Sequence, residues 1–366
     1  MPADPPAPPR AEARVDLALQ GGGSHGAFTW GVLDRLLEDD GLAIGAISGT
    51  SAGALNAAVL ATGLARGGRP GARAALAAFW RDVGAGASIF APFGPGAGAG
   101  LRFDRLPSYQ WFSNFTRAFS PYEFNPLNLN PLRELARRHV DEAALRGGAI
   151  RLFVTATHVP SGQARVFTGR DLGLDALLAS ACLPFVFQAV TIDGEPYWDG
   201  GYTGNPSIAP LIDHTESLDI LLVRINPLQR PGTPTRSLEI VDRVGEIGFN
   251  ASLVAEMRAI AFVSRLVREG KLDPGRYRDL RLHAIADDAG LAPLGAASKF
   301  NTEPGFLEAL CGLGRRAADA WLRRHRQDVG VRATLDVERV FPARHGRPPR
   351  RAAEAAPPAQ AVAPFE

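Results

Sequence analysis

Apolar positions along the chain follow two alternating rhythms. Short, nearly continuous apolar runs at "RVDLALQ" (14–20), "LAIGAIS" (42–48), "AIRLFVTATHV" (149–159), "ARVFTG" (164–169), "QAVTID" (188–193), "LDILLVRIN" (218–226) and "DLRLHAIA" (279–286) predict strands. Between them, apolar residues recur every third or fourth position. Phe28, Val32, Leu33, Leu36 and Leu37 mark a helix after the first strand, and "AGALNAAVLATGLA" (52–65) an apolar helix after the second. Further helices fit near 72–82, 131–146, 174–181, 236–269 and 304–325. Strands that are apolar throughout and alternate with helices predict an α/β fold, a three-layer sandwich with a mostly parallel central sheet covered by helices. In the helix at 236–269, Ile240, Val244, Ile247, Leu253, Met257, Ile260, Val263 and Leu266 keep helical spacing, which reads as a core face rather than a membrane face.

One stretch breaks the alternation. Residues 88–130 are rich in Phe, Pro and Gly, including "SIFAPFGPGAGAG" and "YQWFSNFTRAFSPYEFNPLNLNP". A connection this long inside a compact domain marks a lid, a binding element or an insert. Phe90, Phe93, Trp111, Phe112, Phe115, Phe119, Tyr122 and Phe124 suit either a lid that meets lipid or an insert packed on the sheet edge, with Trp111, Phe112 and Phe115 the candidate substrate contacts. The Pro/Ala-rich segment 1–12 and the Pro/Ala/Arg-rich segment 343–366 read as disordered tails.

Composition narrows the class. A chain of 366 residues buries a large core, and 40 Lys+Arg against 38 Asp+Glu give a net charge of +2, so nothing points to a nucleic acid partner. All the basic residues but Lys271 and Lys299 are arginine. Cys182 and Cys311 are too few for a disulfide framework, "MPADPPAPPR" has no basic n-region or apolar h-region, and no run reaches the roughly 18 apolar residues of a spanning helix. The expectation is a cytoplasmic protein, able to touch a membrane or lipid surface peripherally.

The chemistry starts at "ALQGGGSHGAFTWGVL" (18–33). Gly21, Gly23 and Gly26 fit the G-x-G-x-x-G turn of dinucleotide folds, which also needs an acidic residue ending the second strand. That strand ends in Ser48-Gly49-Thr50-Ser51, while Asp39 and Asp40 precede it, so the cofactor reading fails and no cofactor is expected. Gly49-Thr50-Ser51-Ala52-Gly53 instead fits G-x-S-x-G at a strand-to-helix junction. There a tight turn demands small residues at 49 and 53 and presents Ser51 at the start of a helix. Beside such a nucleophile, Gly22, Gly23 and Ser24 can offer backbone N–H groups to a developing oxyanion.

A base is harder to find. None of His139, His158, His214, His283, His325 and His345 sits convincingly after a late strand, as a Ser–His hydrolase would require. The carboxylate that stands out is Asp199 in "EPYWDGGYTGNPSI", ahead of Gly200-Gly201. No Cys/His spacing suggests a metal.

Gly21-Gly22-Gly23-x-x-Gly26, Gly49-x-Ser51-x-Gly53 and Asp199-Gly200-Gly201, in this order, resemble the three blocks of the patatin-like phospholipase family. "GVLDRLLED", "SACLPFVFQAV" and "GNPSI" are similar too, over about residues 14–212. The resemblance implies a serine lipid acyl hydrolase with a Ser51–Asp199 dyad, an oxyanion hole at Gly21, Gly22 and Gly23, and no catalytic histidine. Family members often carry Arg or Lys where this chain has His25, a departure that takes a fixed positive charge from the oxyanion loop. The implied layout is a catalytic domain at 13–212 containing the insert 88–130, with strands and helices of 213–342 packed on the same domain. Two alternatives stay open: an esterase or depolymerase for another hydrophobic ester, such as a storage polyester, and a non-catalytic lipid-binding protein of the same fold.

Overall fold

β1 (Ala13–Leu19) is buried on both faces, with Val15, Leu17 and Leu19 in one apolar cluster and Ala18 in another. A strand covered on both sides belongs in the middle of a sheet with helices above and below. The computed structural model describes residues 13–86, 111, 115–116, 118–230 and 232–342. In it, β1 lies between β2 (Leu42–Thr50) and β7 (Asp219–Val223), parallel to both; β3 (Arg151–His158) extends the parallel set beside β2, and β8 (Arg281–Ile285) beside β7. β4 (Gln163–Phe167), β5 (Val190–Ile192) and β6 (Glu195–Asp199) are antiparallel. The sheet order is β5-β6-β3-β2-β1-β7-β8, with β4 also on β3. The sheet is therefore mixed, parallel at its centre and antiparallel at one edge.

Helices cover both faces. One apolar cluster gathers residues of α1 (Gly26–Leu36), α2 (Ala52–Ala85), α3 (Pro131–His139), α4 (Glu142–Gly147), α5 (Leu174–Ser180) and, late in the chain, α8 (Pro304–His325). The second cluster, on the other face, packs Leu211 of α6 (Ala209–His214) and Leu253, Met257 and Ile260 of α7 (Ser237–Arg268). The three-layer expectation holds.

Four local readings change. The helices expected at 52–65 and 72–82 form one rod with a kink at Gly67-Gly68, where Gly68 takes a φ of +60°. The helix expected at 131–146 is two, because Val140 and Asp141 are extended and Asp141 caps α4 by accepting from the Ala143 N–H. β6 was not foreseen: "EPYWD" carries Pro196 and charged ends, and its strand character comes from pairing with β3 and β5.

The apolar row of α7 is not one core face. Leu253, Met257 and Ile260 are buried, yet Ile240, Val244 and Ile247 are 43%, 64% and 54% exposed. Within Glu239–Arg268 a window of 18 residues reaches a mean hydropathy of 1.2, so this helix is long and apolar enough to cross a membrane by length and composition, although charged residues interrupt every apolar run; here its C-terminal half is packed against the sheet. The segments 1–12 and 343–366, with Phe90, Phe93 and Phe112 of the insert, lie outside the described residues.

Candidate active site

The site is assembled where parallel strands end. Ser51 separates the last residue of β2 from the first of α2, with φ 54° and ψ −123°, a conformation that non-glycine residues seldom adopt. What holds it there is contact on both sides. A Cβ on Gly49 would lie 2.8 Å from the Ala54 nitrogen, and one on Gly53 would lie 2.3 Å from the Leu19 carbonyl oxygen, so only glycine fits either position. The Ser51 N–H donates to Ser180 Oγ at 2.9 Å, leaving its hydroxyl at the start of α2. Ser51 retains 9% exposure, enough to be reached from the cavity that it lines.

Asp199 arrives through strand register. β4 runs along one edge of β3 from Val154 to His158. On the other edge, Thr155 pairs with Thr50 of β2 and the next residue, Ala156, pairs with Asp199 of β6. β6 thus takes over where β2 turns away, and Asp199 lies end to end with the Ser51 elbow. Its backbone is held by Cys182 and by Thr157, and Oδ1 accepts from the Gly201 N–H at 2.7 Å. Gly200 has no room for a side chain, since its Cβ would stand 2.1 Å from the Thr155 carbonyl oxygen. Burial pushes the Asp199 carboxyl up to about 6, against the opposing pull of the Gly201 N–H, the Ser51 hydroxyl and the Lys299 charge. The contact with Ser51 is loose: Oδ2 is buried and has no hydrogen bond of regular geometry.

The glycine loop is pressed against this pair. A Cβ on Gly21 would come within 2.7 Å of Ser51 Cβ, and one on Gly26 within 2.7 Å of Ala52 Cβ. Gly23 has φ +56°, and a Cβ there would meet the Lys299 carbonyl oxygen at 2.4 Å. One expected oxyanion donor is corrected. The Gly21 N–H donates to Asn205 Oδ1 at 2.7 Å, while its carbonyl accepts from Asn226 Nδ2 at 2.8 Å, so Gly21 anchors the loop. Gly22, Gly23 and Ser24 line the cavity with Ser51 and Asp199, and their N–H groups have no hydrogen-bond acceptor among the described residues. Backbone donors without acceptors beside a serine can hold an oxygen that gains negative charge.

His25 faces away from the chemistry. Its Nε2 lies 2.7 Å from Ser298 Oγ, and burial, reinforced by Lys299 and Arg230, drives its pKa down to about 3, so the ring is neutral. None of the other described histidines lines the cavity. His139 meets Asp82, His158 meets Glu195, His283 meets Asp219 and His325 meets Asp328, while His214 stacks on Phe153. Among the described residues, no group of three or more His, Cys, Asp or Glu could hold a metal ion.

The cavity encloses about 810 Å³ and is largely apolar. Leu55, Phe79, Trp80 and Val83 of α2 meet Leu132 and Leu135 of α3 along one wall, whereas Tyr202, Asp242, Glu246, Phe249 and Lys299 contribute to another. Next to the lining residue Phe124, Phe115 stacks on Trp111 with ring centroids 5.2 Å apart and also contacts Phe119 and Phe124. Trp111 is 66% exposed, so this aromatic group is not buried in the core.

Several supporting residues escaped the sequence reading. Gln20 accepts from the N–H groups of Ile225 and Asn226, tying the glycine loop to the end of β7, and Asn205 and Asn226 grip Gly21 from two later segments. Their signal was positional: Gln20 and Asn226 are polar residues ending apolar strands, where open parallel sheets place their sites. Lys299 had only its rarity to mark it.

Residues 17–212 match the sequence profile of the family described as Patatin-like phospholipase. No curated protein matches the chain. Among solved structures, the chain is similar to VipD from Legionella pneumophila, with 14% identity and a TM-score of 0.37, over 82% of this chain and 67% of that one. It is also similar to a structure of full-length SpcU in complex with full-length ExoU from the type III secretion system of Pseudomonas aeruginosa, with 13% identity, a TM-score of 0.26 and coverage of 84% and 53%. The type III effector ExoU alone gives 16% identity, a TM-score of 0.26 and coverage of 84% and 54%. The chain spans about two thirds of VipD and about half of ExoU.

Proposed function

The chain belongs to the patatin-like phospholipase family of ester-bond hydrolases, and from that premise we propose that it cleaves acyl esters of phospholipids or neutral lipids with a Ser51–Asp199 dyad. The observation that carries this reading is the register of β3, whose consecutive residues Thr155 and Ala156 pair with Thr50 and Asp199 at the floor of a largely apolar cavity. Asp199 Oδ2 takes the hydroxyl proton as Ser51 Oγ bonds to the ester carbon, and the carbonyl oxygen becomes an oxyanion against the amides of Gly22, Gly23 and Ser24. Collapse of the tetrahedral adduct breaks the bond to the alcohol, which leaves with the proton from Asp199. A water molecule then gives its proton to Asp199 and attacks the acyl-enzyme. Ser51 departs, recovers a proton, and the fatty acid is released.

Burial suits Asp199 to this work. A carboxylate with a pKa of about 6 is still ionised at neutral pH, yet it is a stronger base than an exposed aspartate. The α2 N-terminus adds a favourable field at Ser51.

The substrate is proposed to be met at a lipid surface, without a nucleic acid partner. In support, the cavity-lining Leu129, Phe185 and Val241 are exposed, as are Trp111 and Phe119 of the aromatic group and Val244 of α7. Such residues suit the boundary between water and lipid, and the aromatic group is proposed to serve as a lid or an interfacial contact. A cytoplasmic location with peripheral attachment accords with the two unpaired, buried cysteines, Cys182 and Cys311.

Labelling with a fluorophosphonate, followed by vesicles, soluble short-chain esters and polyester granules as substrates, tests the proposal. Labelling lost in Ser51→Ala, together with lipid hydrolysis, is the expected result. An unlabelled wild-type protein means a lipid-binding fold without catalysis, and turnover of polyester alone means a depolymerase.

A further inference from the structure

Lys299 is one of only two lysines in the chain and lies beyond the segment 17–212 that matches the family. It sits on the short helical turn Ala296–Phe300, whose Lys299 carbonyl closes over Gly23 and whose Ser298 hydroxyl meets His25. Its side chain lines the same cavity as Ser51 and Asp199. There Nζ donates to Asn226 Oδ1 at 2.7 Å and stands 5.7 Å from the centroid of the Phe249 ring. An ammonium has three protons to donate, and among the described residues it makes this one hydrogen bond and no ion pair.

The other cations nearby are occupied. Arg230 is held by both carboxylate oxygens of Glu246 and by the carbonyls of Ala292 and Leu294. Arg243 is paired with Glu246 as well, and the second lysine, Lys271, is paired with Glu269. Lys299 is thus a half-buried cation with donors to spare inside a mostly apolar cavity, an arrangement that favours binding of an anion.

Which anion follows from what else lines the cavity. The oxyanion already has the amides of Gly22, Gly23 and Ser24, and the wall formed by α2 and α3 offers only apolar contact to an acyl chain. The ammonium, tethered to Asn226 beside Phe249, is left for a permanent negative charge on the alcohol side of the ester. Resting on the hydrolase reading above, we propose that Lys299 binds the phosphodiester of a glycerophospholipid and so sets a preference for phospholipids over uncharged acyl esters. Burial pulls the Lys299 pKa down and Arg230 adds to this, while Glu246, Asp242 and Asp199 pull it back, so an arriving phosphate would stabilise the charged form further.

The test compares a diacyl glycerophospholipid with a diacylglycerol of the same acyl chains, both in neutral mixed micelles, using the full chain, Lys299→Met and Lys299→Arg. The expected result is that Lys299→Met lowers the ratio of kcat/KM for phospholipid over diacylglycerol by about tenfold or more, mainly through KM, and that Lys299→Arg restores most of the ratio. An unchanged ratio overturns the proposal, whether both activities fall together or neither falls. If the wild type cleaves diacylglycerol and not phospholipid, the proposal fails while the hydrolase reading stands. Cleavage of neither ester sinks the hydrolase reading; a second measurement then still addresses Lys299. Calorimetric binding of an alkyl phosphocholine, below its micelle concentration, to Ser51→Ala should be lost when Lys299→Met is added. Undiminished binding overturns the proposal, and so does inorganic phosphate competing as well as the alkyl phosphodiester, since the site would then take free phosphate.

Discussion

The two walls of the cavity differ in kind. The wall of Leu55, Phe79, Trp80, Val83, Leu132 and Leu135 is aliphatic and aromatic, comes from helices α2 and α3, and lies within the segment that matches the family. A second group of lining residues, Asp242, Glu246, Phe249 and Lys299, carries charge and comes from α7 and the turn before α8, beyond that segment. The proposed dyad would bridge them: Ser51 precedes α2 on the first wall, and Asp199 lies three residues before Tyr202 on the second. An apolar wall with one polar neighbour suits an amphiphile whose ester bond falls at the junction. The first wall would hold the chain, and the second would sort the alcohol.

The largest effect should come from cutting the bridge. Ser51→Ala and Asp199→Ala should each lower kcat by on the order of 10⁴-fold or more, and the double variant should be hardly worse, because the pair acts as a unit. Stopped assays on a short-chain ester measure this. If Asp199→Asn keeps more than a few per cent of activity, the base is elsewhere and the walls do not meet at a dyad.

Next comes the glycine loop proposed to hold the oxyanion. Gly23→Ala forces a side chain onto the Lys299 carbonyl oxygen and strains a φ of +56°, so it should turn donors away and cost about 10²–10³-fold in kcat. A kcat within threefold of wild type would remove Gly23 from the site.

A smaller effect separates the chain-holding wall from the lipid-facing rim. Leu135→Trp should fill the apolar wall and shift preference toward short acyl chains by about tenfold, in line with what a few methylenes of binding are worth. Val244→Asp with Ile247→Asp, both on the exposed side of α7, should lower activity on vesicles about fivefold and leave a soluble short-chain ester unaffected. Equal losses on both substrates would mean that this side of α7 supports folding rather than lipid contact.

The last effect is on stability. The Asp199 carboxyl is raised in the folded state, from 3.8 to about 6, so ionising it there costs stability. That stability is fully present below pH about 4 and is lost as pH rises through about 6. Asp199→Asn cannot ionise and should therefore be more stable than wild type at pH 8 in denaturant unfolding, by about 3 kcal/mol for a shift of roughly two units, with the difference vanishing near pH 4. A variant that is less stable at pH 8 would mean that the carboxylate is held by partners stronger than the Gly201 N–H.

The sequence by itself determined the alternation of buried strands and helices, the elbow at Ser51 and the small-residue loop before it. Each is local: a strand apolar on both faces, or a glycine forced by contact within a few residues or with the adjacent strand, is written in consecutive letters. It also singled out Asp199, through its Gly-Gly neighbours and the family resemblance. What sets that carboxylate at the end of β2 beside the Ser51 turn is three-dimensional, the β3 register that pairs Ala156 with a strand that "EPYWD" scarcely announces. Tertiary structure likewise withdrew Gly21 from the donors, because Asn205 sits 184 residues away and only the fold brings its side chain to that N–H. It divided the single apolar row of α7 into a buried half and an exposed half, since helical spacing records which residues share a face but not where the neighbouring sheet ends. And it carried Lys299 into the cavity, a placement set by long-range packing of the turn against Gly23 and Phe249 that no run of neighbouring residues encodes.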